Sequence, residues 1–431
     1  MVGCPKRGIT ARSRAARGDV MSRTRPDGPC PTMRTCGGCA WLGIPYLKQL
    51  RRKHAALTEL FEPLARRHEI SICIDPVRGM GADSDSDTRI LPPRGFRFKA
   101  ATPFAPGMCG SLRSGFFARG THEIIESEDC IVEAPGARRI LHAVAVAAER
   151  SGVSAYDEDR RRGALRHAVV RLGRRSDEGM LTIVTSGREI AHLAAFVDRL
   201  RDIDPRVRTV AQNVNLRATN AILGSETRIL VGPPRMRDRL LECDFEISPT
   251  AFFQTNPEQT EVLYRVAIEH MALDDGDVVL DAYCGSGTIG LSCAAHMRAS
   301  GRPIRVIGVE RNPAGVRDAR RNAEINGLDA MARFVEQDAT AYIAGAADAG
   351  DRVDVLVLDP PRAGASPELL AAAVRLAPRR IVYISCNPVT QARDLDSVLD
   401  AGFRLMRVTP VDMFPHTSHI ETVAVLACAA G

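Results

Sequence analysis

Residues Val278–Leu291, VVLDAYCGSGTIGL, decide the fold of this chain. The apolar run at the start, which contains Asp281, predicts a buried strand, and the apolar residues at the end predict the beginning of a helix. Gly285 and Gly287 permit a tight turn between the two and let a ligand approach the backbone closely. The letters GSGTIG also match the G-x-G-x-x-G fingerprint of dinucleotide-binding proteins, which is a weak signal on its own.

Three further stretches repeat the pattern of an apolar strand that ends in an acidic residue. They are VIGVE at Val306–Glu310, FVEQD at Phe334–Asp338 and VDVLVLD at Val353–Asp359. The carboxyl ends of parallel strands form one ligand-binding edge in open α/β sheets, so we expect these carboxylates to lie along a common rim. The carboxylate of Glu310 is placed to accept hydrogen bonds from the ribose of an adenosine cofactor. Such a rim fits S-adenosylmethionine (SAM) at least as well as NAD.

A single cysteine follows the next predicted strand, in IVYISCNPVTQARD at Ile381–Asp394. Asn387 and Pro388 end that strand, and a helix is predicted from near Thr390. Cys386 is therefore expected at the edge of the sheet where such folds bind ligands. The alternative is a small buried hydrophobe, which is the usual state of a free cysteine.

A carboxylate near the C-terminus is also expected to be functional. In VDMFPHTSHIETVAV, Val411–Val425, a Pro-His-Thr turn leads Glu421 into the start of an apolar strand. Burying a charge is costly, and a role in proton transfer supplies a reason for it. The alternative is a carboxylate that lies in water at the beginning of a strand.

The twelve cysteines are scattered, and no apolar export signal is present, so a reducing cytoplasm is expected. Cys30, Cys36 and Cys39 form C-x5-C-x2-C, and Cys130 is the best candidate for a fourth ligand. Four thiolates suit either an iron–sulfur cluster or structural zinc. Because the paired C-x2-C spacing of zinc sites is missing, a [4Fe-4S] cluster is favoured over zinc and over no metal.

The composition is that of an ordinary globular protein, with 431 residues of which 45% are hydrophobic. No apolar run reaches membrane-spanning length, so no membrane partner is expected. The first 29 residues carry seven Lys or Arg and two Asp, so most of the net charge of +6 lies in a basic tail that is predicted to be disordered. The body is nearly neutral, and contacts with nucleic acid must come from local basic patches.

Five motifs together resemble the bacterial RNA (uracil-5-)-methyltransferases. In chain order they are FFQTN (Phe252–Asn256), DAYCGSGTIGL, LDPPRAG (Leu358–Gly364), SCNP (Ser385–Pro388) and FPHTSHIE (Phe414–Glu421). The four cysteines named above resemble the iron–sulfur ligands of members that act on 23S rRNA. Only 29 residues precede Cys30, so the resemblance is strongest to 23S rRNA members without an amino-terminal TRAM barrel. The Arg-Asn-Lys pattern of the family stands here as Arg97-Phe98-Lys99.

The resemblance implies a SAM-dependent enzyme that forms 5-methyluridine in RNA, with 23S rRNA as the expected substrate. Cys386 matches the nucleophile that adds to uracil C6, and Glu421 matches the base that removes the C5 proton. The positions that match SAM-binding residues are Gln254, Tyr283, Thr288, Glu310, Asp338 and Asp359. The implied ligands of the [4Fe-4S] cluster are Cys30, Cys36, Cys39 and Cys130.

The predicted fold class is α/β. A Rossmann-like class I SAM-dependent methyltransferase domain is expected at 246–431, and a central α+β RNA-binding domain at 96–245. An iron–sulfur cysteine segment with a helix is expected at 30–95, after the tail at 1–29. The predicted protein is a cytoplasmic monomer whose partner is RNA, in particular a loop or stem-loop of 23S rRNA.

Four other functions are alternatives to this one. A tRNA uracil-5 methyltransferase would carry the same catalytic motifs, and a non-catalytic iron–sulfur RNA-binding protein would explain only the cysteines. A dehydrogenase would explain the glycines and Glu310, but not Cys386 together with Glu421. Cytosine-5 methylation of RNA would usually add a cysteine after the Asp-Pro-Pro motif, where Arg362 stands.

Overall fold

Two seven-stranded β-sheets organise the protein in a computed structural model, which describes residues 30–81, 92–118, 120–217 and 221–428. The strands of the first sheet lie between residues 99 and 231, and those of the second between residues 278 and 428. The basic tail predicted at 1–29 lies outside the described residues. The domain boundaries predicted from the sequence stay a prediction.

The amino-terminal segment forms turns around its cysteines and then one helix, α1 (Tyr46–Arg67). Leu57, Phe61 and Leu64 recur at helical spacing, and all three are buried in an apolar cluster with strands of the second sheet. This amino-terminal helix therefore packs on the carboxyl-terminal part of the fold.

The first sheet has the strand order β3-β2-β1-β4-β5-β6-β7. Its strands are β1 (Lys99–Pro106), β2 (Leu112–Phe117), β3 (Ile124–Glu126), β4 (Leu165–Leu172), β5 (Gly179–Thr185), β6 (Val207–Val214) and β7 (Glu226–Val231). All neighbouring strands are antiparallel except β5 and β6, which are parallel. Helices α2 (Ala137–Ser151) and α3 (Leu193–Arg201) share an apolar cluster with this sheet.

A two-stranded hairpin, β8 (Met236–Leu240) and β9 (Cys243–Ile247), follows the first sheet. Its side chains alternate between buried and exposed along β8, as expected for a sheet with one covered face. Met236, Leu240 and Phe245 belong to the same apolar cluster as strands of the second sheet.

The second sheet has the order β12-β11-β10-β13-β14-β16-β15. Its strands are β10 (Val278–Ala282), β11 (Arg305–Glu310), β12 (Ala332–Glu336), β13 (Val355–Leu358), β14 (Arg380–Ser385), β15 (Phe403–Val411) and β16 (Glu421–Cys428). The five strands from β12 to β14 are parallel, and β16 and β15 add antiparallel strands at one side. The sheet is therefore mixed, whereas the acidic strand ends predicted only its parallel part.

Helices cover both faces of this sheet. They are α4 (Pro257–Met271), α5 (Thr288–Ala299), α6 (Pro313–Ile325), α7 (Ala339–Ala349), α8 (Pro367–Leu376) and α9 (Pro388–Asp400). Val279 and Val357 belong to one apolar cluster and Leu280 and Leu356 to another, so successive residues of the strands are buried on opposite faces. Among the described residues, no helix is both long and apolar enough to pass through a bilayer.

The strand order reverses between β10 and β13. The chain moves outward from β10 to β11 and β12, and then returns to place β13 on the other side of β10. Such a reversal opens a crevice beyond the carboxyl ends of the two strands, which is where open α/β sheets bind ligands. Asp281 of β10 and Asp359 after β13 lie at this crevice.

The turn after β10 offers a test of the fold with a matched control. Gly287 has φ of 80°, and a Cβ there would lie 3.0 Å from ring atoms of Phe334, whereas Gly285 has φ of 56° and nothing within 4 Å. Gly287→Ala is expected to lower the free energy of unfolding by roughly 2–4 kcal/mol, because backbone strain and overpacking add. Gly285→Ala should lower it by roughly 1–2 kcal/mol through backbone strain alone. Urea unfolding measures both, and equal losses would contradict the account of Gly287.

Candidate active site

Cys386 and Glu421 lie at the same end of two neighbouring strands. Cys386 follows the last residue of β14, and Glu421 is the first residue of β16. The strands are antiparallel, and their ladder ends with Ser385 paired to Thr422, so Cys386 and Glu421 come directly after and before these paired residues. The Glu421 carboxylate is close enough to the Cys386 thiol to raise its pKa. The structure thus brings together the two side chains that the sequence predicted to be catalytic.

Polar contacts next to these two residues fix the two strand ends, and those of Gln391 are buried. The Gln391 side chain donates from Nε2 to the Tyr383 carbonyl oxygen at 2.8 Å and accepts from Thr422 Oγ1 at 2.7 Å. Asn387 Nδ2 donates to the Arg362 carbonyl oxygen at 2.9 Å, which joins the turn after β13 to the start of α9. Both contacts restrict the backbone next to Cys386.

Cys386 opens into a cavity of about 440 Å³, a volume that is typical of small-ligand sites. Its walls come from the cysteine-containing turns, the segment before β1, the turn after β13 and the loop before β16. The lining residues are Gly37, Gly38, Cys39, Ala40, Phe96, Arg97, Val132, Arg362, Cys386, Phe414, Pro415, Thr417, Ser418 and His419. Segments far apart in the sequence therefore build one cavity.

The Glu421 carboxyl is buried, with only 3% of the residue exposed. Burial, and secondarily the nearby Asp359 carboxylate, raise the pKa of Glu421 to about 8. Because the charged form is disfavoured in this environment, the carboxylate has a strong tendency to take up a proton. A group with a pKa near the working pH is well suited to general base catalysis.

The Cys386 thiol is half-buried, and its pKa is raised above the usual value. Burial is the main cause, the carboxylates of Glu421 and Asp359 add to it, and the Arg362 guanidinium opposes it. Arg362 is therefore the neighbouring group that favours the thiolate, which is the nucleophilic form of cysteine.

Three of the four acidic residues that the sequence predicted along a common rim, Glu310, Asp281 and Asp359, form a row with Glu421, whereas Asp338 caps α7. Burial is the main cause that raises the pKa of Asp359 to about 7, and it raises the pKa of Asp281 to about 7 as well. The neighbouring carboxylates of Asp359 and Glu310 also raise the pKa of Asp281. The row thus runs from Glu310 through Asp281 and Asp359 to Glu421, beside the cavity that contains Cys386.

Glu310 holds the glycine turn in place. Its Oε2 accepts a hydrogen bond from the Gly285 backbone N–H at 3.2 Å, and its Oε1 accepts one from the Asn312 N–H at 2.6 Å. Each carboxylate oxygen has a second lone pair, so Glu310 can still accept from a ligand such as a ribose.

The other predicted cofactor positions differ in where they lie. Tyr283 follows β10 with φ of 66°, and Asp338 contributes to raising the pKa of its phenol, after burial. Asp338 caps α7 through Oδ1, which accepts from two backbone N–H groups, and Thr288 Oγ1 lies 2.8 Å from the Tyr264 hydroxyl. Gln254 instead lines a small gap with residues of the first sheet, so the structure does not join it to the acidic row.

The four cysteines predicted to hold a cluster are only partly gathered. Cys39 and Cys130 both pack against a small apolar cluster of Met80, Phe96 and Val132. Burial raises the pKa of Cys39 to about 11, with the Arg97 guanidinium lowering it and Cys36 and Cys30 raising it further. Within residues 30–81, 92–118, 120–217 and 221–428, however, no three His, Cys, Asp or Glu side chains are arranged to hold a metal ion. The described residues therefore do not support the expected [4Fe-4S] site.

Sequence reasoning missed two contributions to the site. Asp281 is fully buried, and its Oδ1 has no hydrogen-bond partner among the described residues, and the signal that could have found it is a carboxylate inside the apolar strand VVLDA. Gln49 and Lys53 of α1 contact the loop before β16, although the sequence offers no sign of a contact across more than 350 residues.

Comparison with known proteins agrees with the family that the five motifs resemble. The family model described as tRNA (Uracil-5-)-methyltransferase matches residues 225–428. An uncharacterized RNA methyltransferase of Halalkalibacterium halodurans is 37% identical over 405 residues, which cover 94% of this chain and 84% of that protein. An uncharacterized RNA methyltransferase of Bacillus cereus is 36% identical over 403 residues, which cover 94% of this chain and 83% of that protein. The chain belongs to the RNA (uracil-5-)-methyltransferase family. It is accordingly a SAM-dependent RNA methyltransferase, as the motifs predicted.

A solved structure resembles this RNA methyltransferase over most of its length. It is the Pyrococcus abyssi tRNA (uracil-54, C5)-methyltransferase in complex with S-adenosyl-L-homocysteine. The TM-score is 0.70 at 27% sequence identity, with 90% of this chain and 86% of that chain covered. The likeness confirms the SAM-dependent methyltransferase α/β fold.

Proposed function

We propose that this enzyme methylates C5 of a uridine in 23S rRNA, with Cys386 as nucleophile and Glu421 as general base. The observation that carries the proposal is that Cys386 lines the cavity at the end of β14, while the buried Glu421 carboxylate at the adjacent start of β16 is close enough to raise the pKa of its thiol. The proposed partner is an RNA loop or stem-loop, bound by a cytoplasmic monomer.

Uracil C5 is itself a poor nucleophile. The first step therefore adds a nucleophile of the enzyme to the neighbouring C6. The Cys386 thiolate forms a bond to C6, and the electrons of the C5–C6 double bond move to give an enolate with nucleophilic character at C5. Arg362, which favours the thiolate, also lines the cavity and can meet a negatively charged group of the bound nucleotide.

SAM, when bound, would supply the methyl group that C5 takes up, with the methyl–sulfur bond broken and S-adenosylhomocysteine as the by-product. We assign its binding to Gln254, Tyr283, Thr288, Glu310, Asp338 and Asp359. The open space at Gly285 supports a close approach of a ligand to the backbone. The orphaned Oδ1 of Asp281 also leaves an acceptor free at the same crevice.

The last step removes the C5 proton. The Glu421 carboxylate takes this proton, the C5–C6 double bond forms again, and the C6–sulfur bond breaks to return the Cys386 thiolate. Burial makes Glu421 a stronger base than an exposed carboxylate, which supports its assignment to this step.

The cavity admits one base rather than a stacked helix. The target uridine must therefore leave its stack, at a cost of a few kcal/mol, unless it lies in a single-stranded loop. Loops are the usual targets of sequence-specific RNA recognition. A tRNA uridine is the second candidate substrate, and the likeness to the Pyrococcus abyssi tRNA enzyme favours it.

The substrate is tested by methyl transfer from labelled SAM to separate pools of unmodified 23S rRNA and tRNA. We expect 5-methyluridine in 23S rRNA at one site, mapped by nuclease digestion and mass spectrometry. Cys386→Ala should lower the rate by roughly 10³-fold or more, because no other group supplies the covalent step. Cys428→Ala, in the last described strand, is the control and should retain activity. Label in tRNA alone would replace the rRNA proposal with its alternative.

Glu421→Gln tests the base. The amide cannot accept the C5 proton, so the enzyme should add to the uracil, methylate it and then fail to release it. We expect a protein–RNA adduct that survives a denaturing gel, at a level well above that of the unsubstituted enzyme. The double variant Cys386→Ala with Glu421→Gln should form none. Full turnover by Glu421→Gln without an adduct would contradict the assignment.

We also propose that Cys30, Cys36, Cys39 and Cys130 hold a [4Fe-4S] cluster. The donor chemistry suits such a cluster, since four thiolates are its usual ligands. The shared apolar contacts of Cys39 and Cys130, and the electrostatic influence of Cys30 and Cys36 on Cys39, support it. The observation against it is that no three His, Cys, Asp or Glu side chains of the described residues are arranged to hold a metal ion.

Elemental analysis of anaerobically purified protein tests the cluster. We expect about four iron atoms per chain, as the cluster composition requires, with broad visible absorption. Cys36→Ser and Cys130→Ser should lose both signals, whereas Cys73→Ser, a change at an exposed thiol outside the set, should keep them. Stoichiometric zinc, or neither metal, would contradict the proposal.

A further inference from the structure

The loop between β15 and β16 is held by α1, which lies at the other end of the sequence. This loop, residues 412–420, lines the cavity and leads directly into Glu421. Gln49 and Lys53 lie one helical turn apart on α1, so both side chains project from the same face. Both are buried, with 0% and 2% of the residue exposed.

Lys53 joins the two ends of the loop. Its ammonium donates to Asp412 Oδ1 at 2.6 Å, to the Phe414 carbonyl oxygen at 3.2 Å and to the His419 carbonyl oxygen at 2.7 Å. An ammonium has three N–H donors, so all of them are used. His419 precedes Glu421 by only two residues, and the His419 contact therefore fixes the backbone just before the carboxylate.

Gln49 holds the middle of the loop. Its Oε1 accepts from the His416 backbone N–H at 2.9 Å, and its Nε2 lies 3.2 Å from His416 Nδ1. His416 Nε2 lies 2.8 Å from the Pro93 carbonyl oxygen, which can only accept, so Nε2 carries the proton and Nδ1 is an acceptor. The two N–H groups of Gln49 Nε2 are shared among this Nδ1 and the carbonyl oxygens of Ile44 and Trp41, at 2.8 and 3.1 Å. His416 has φ of 65°, a conformation that side chains rarely adopt unless the surroundings impose it.

The attachment of α1 itself does not require these polar contacts. Leu57, Phe61 and Leu64 already bury the helix in an apolar cluster. A buried ion pair is commonly no more stabilising than apolar residues of similar volume, because desolvation offsets the attraction. Three of the contacts, those to the carbonyl oxygens of Phe414 and His419 and to the backbone N–H of His416, hold the loop backbone itself and so fix its position.

We propose that Gln49 and Lys53 are positioning residues that place Glu421 for removal of the C5 proton. The inference rests on the proposed function, and it assigns the amino-terminal helix a part in the second half of the reaction. Misplacing a catalytic group by about 1 Å can cost roughly 10²-fold in rate. Loosening the loop should therefore slow proton removal more than addition of Cys386, because the contacts of Gln49 and Lys53 reach the loop that leads into Glu421 rather than the strand that leads into Cys386.

Two variants remove the contacts. Gln49→Ala removes the side chain that holds His416. The double variant Lys53→Met with Asp412→Leu removes the ion pair as a unit and leaves no buried charge unpaired. Each is assayed for turnover, for release of tritium from [5-³H]uridine-labelled RNA and for the fraction of enzyme in the denaturation-resistant adduct. We expect turnover and tritium release to fall by roughly 10–100-fold while the adduct fraction rises several-fold.

Leu57→Ala is the matched control, because it weakens the packing of the same helix one turn beyond Lys53. It should lower stability but leave the ratio of adduct to turnover as in the unsubstituted enzyme. If Gln49→Ala and the double variant also leave that ratio unchanged, or if both lose adduct and turnover equally, the positioning role is wrong. An unsubstituted enzyme that transfers no methyl group to RNA would instead overturn the proposed function, so the two failures are distinct.

Discussion

The register between β14 and β16 is the constraint on which the active site depends. Antiparallel pairing of Ser385 with Thr422 brings Cys386, the residue after β14, close to Glu421, the first residue of β16, and a shift of one residue would turn Glu421 to the other face of the sheet. An all-parallel sheet would not provide this arrangement, since parallel strands are joined by crossover connections and do not bring the start of one strand to the end of its neighbour. The two antiparallel strands at the side of the sheet thus have a chemical consequence, and the buried Gln391, which bonds to both β14 and β16, fixes that register.

Burial raises the pKa values of the carboxyl groups in the site and so makes them stronger bases. Glu421, Asp359 and Asp281 lie close to one another at the carboxyl ends of the strands, and desolvation is the main cause that raises the pKa of each. Their folded-state pKa values exceed those of an unfolded chain, so they bind more protons when folded, and the stability they contribute falls as pH rises from about 4 to about 8. The fold tolerates this cost because two apolar clusters flank the sheet. A carboxylate kept basic by burial is the form that a proton-removing step requires.

The sequence predicted the parts of the site that lie within single strand–turn–helix units. The acidic residues at the strand ends, the glycine turn and the position of Cys386 all follow from local patterns, and the structure confirms that placement. The contacts of Lys53 and Gln49 could not be predicted in this way. Lys53 and Asp412 are 359 residues apart, and a basic helical face is usually solvated.

The cysteines show the reverse case: a local pattern suggested a complete ligand set, whereas only Cys39 and Cys130 share an apolar contact cluster in the described residues. Gln254 matched a motif, yet it lies beside the first sheet rather than on the acidic row.

The central claim is that the Cys386 sulfur forms a bond to uracil C6 and that Glu421 later removes the C5 proton. RNA that carries 5-fluorouridine tests this claim most directly, because fluorine at C5 cannot leave as a proton and the covalent species is trapped. The trapped protein is digested with protease and nuclease, and the modified peptide is sequenced by mass spectrometry. The account predicts a methylated fluorouridine nucleotide attached to the peptide that contains Cys386. Attachment at another cysteine such as Cys284, or no covalent species with RNA that is a substrate in its unfluorinated form, would contradict it.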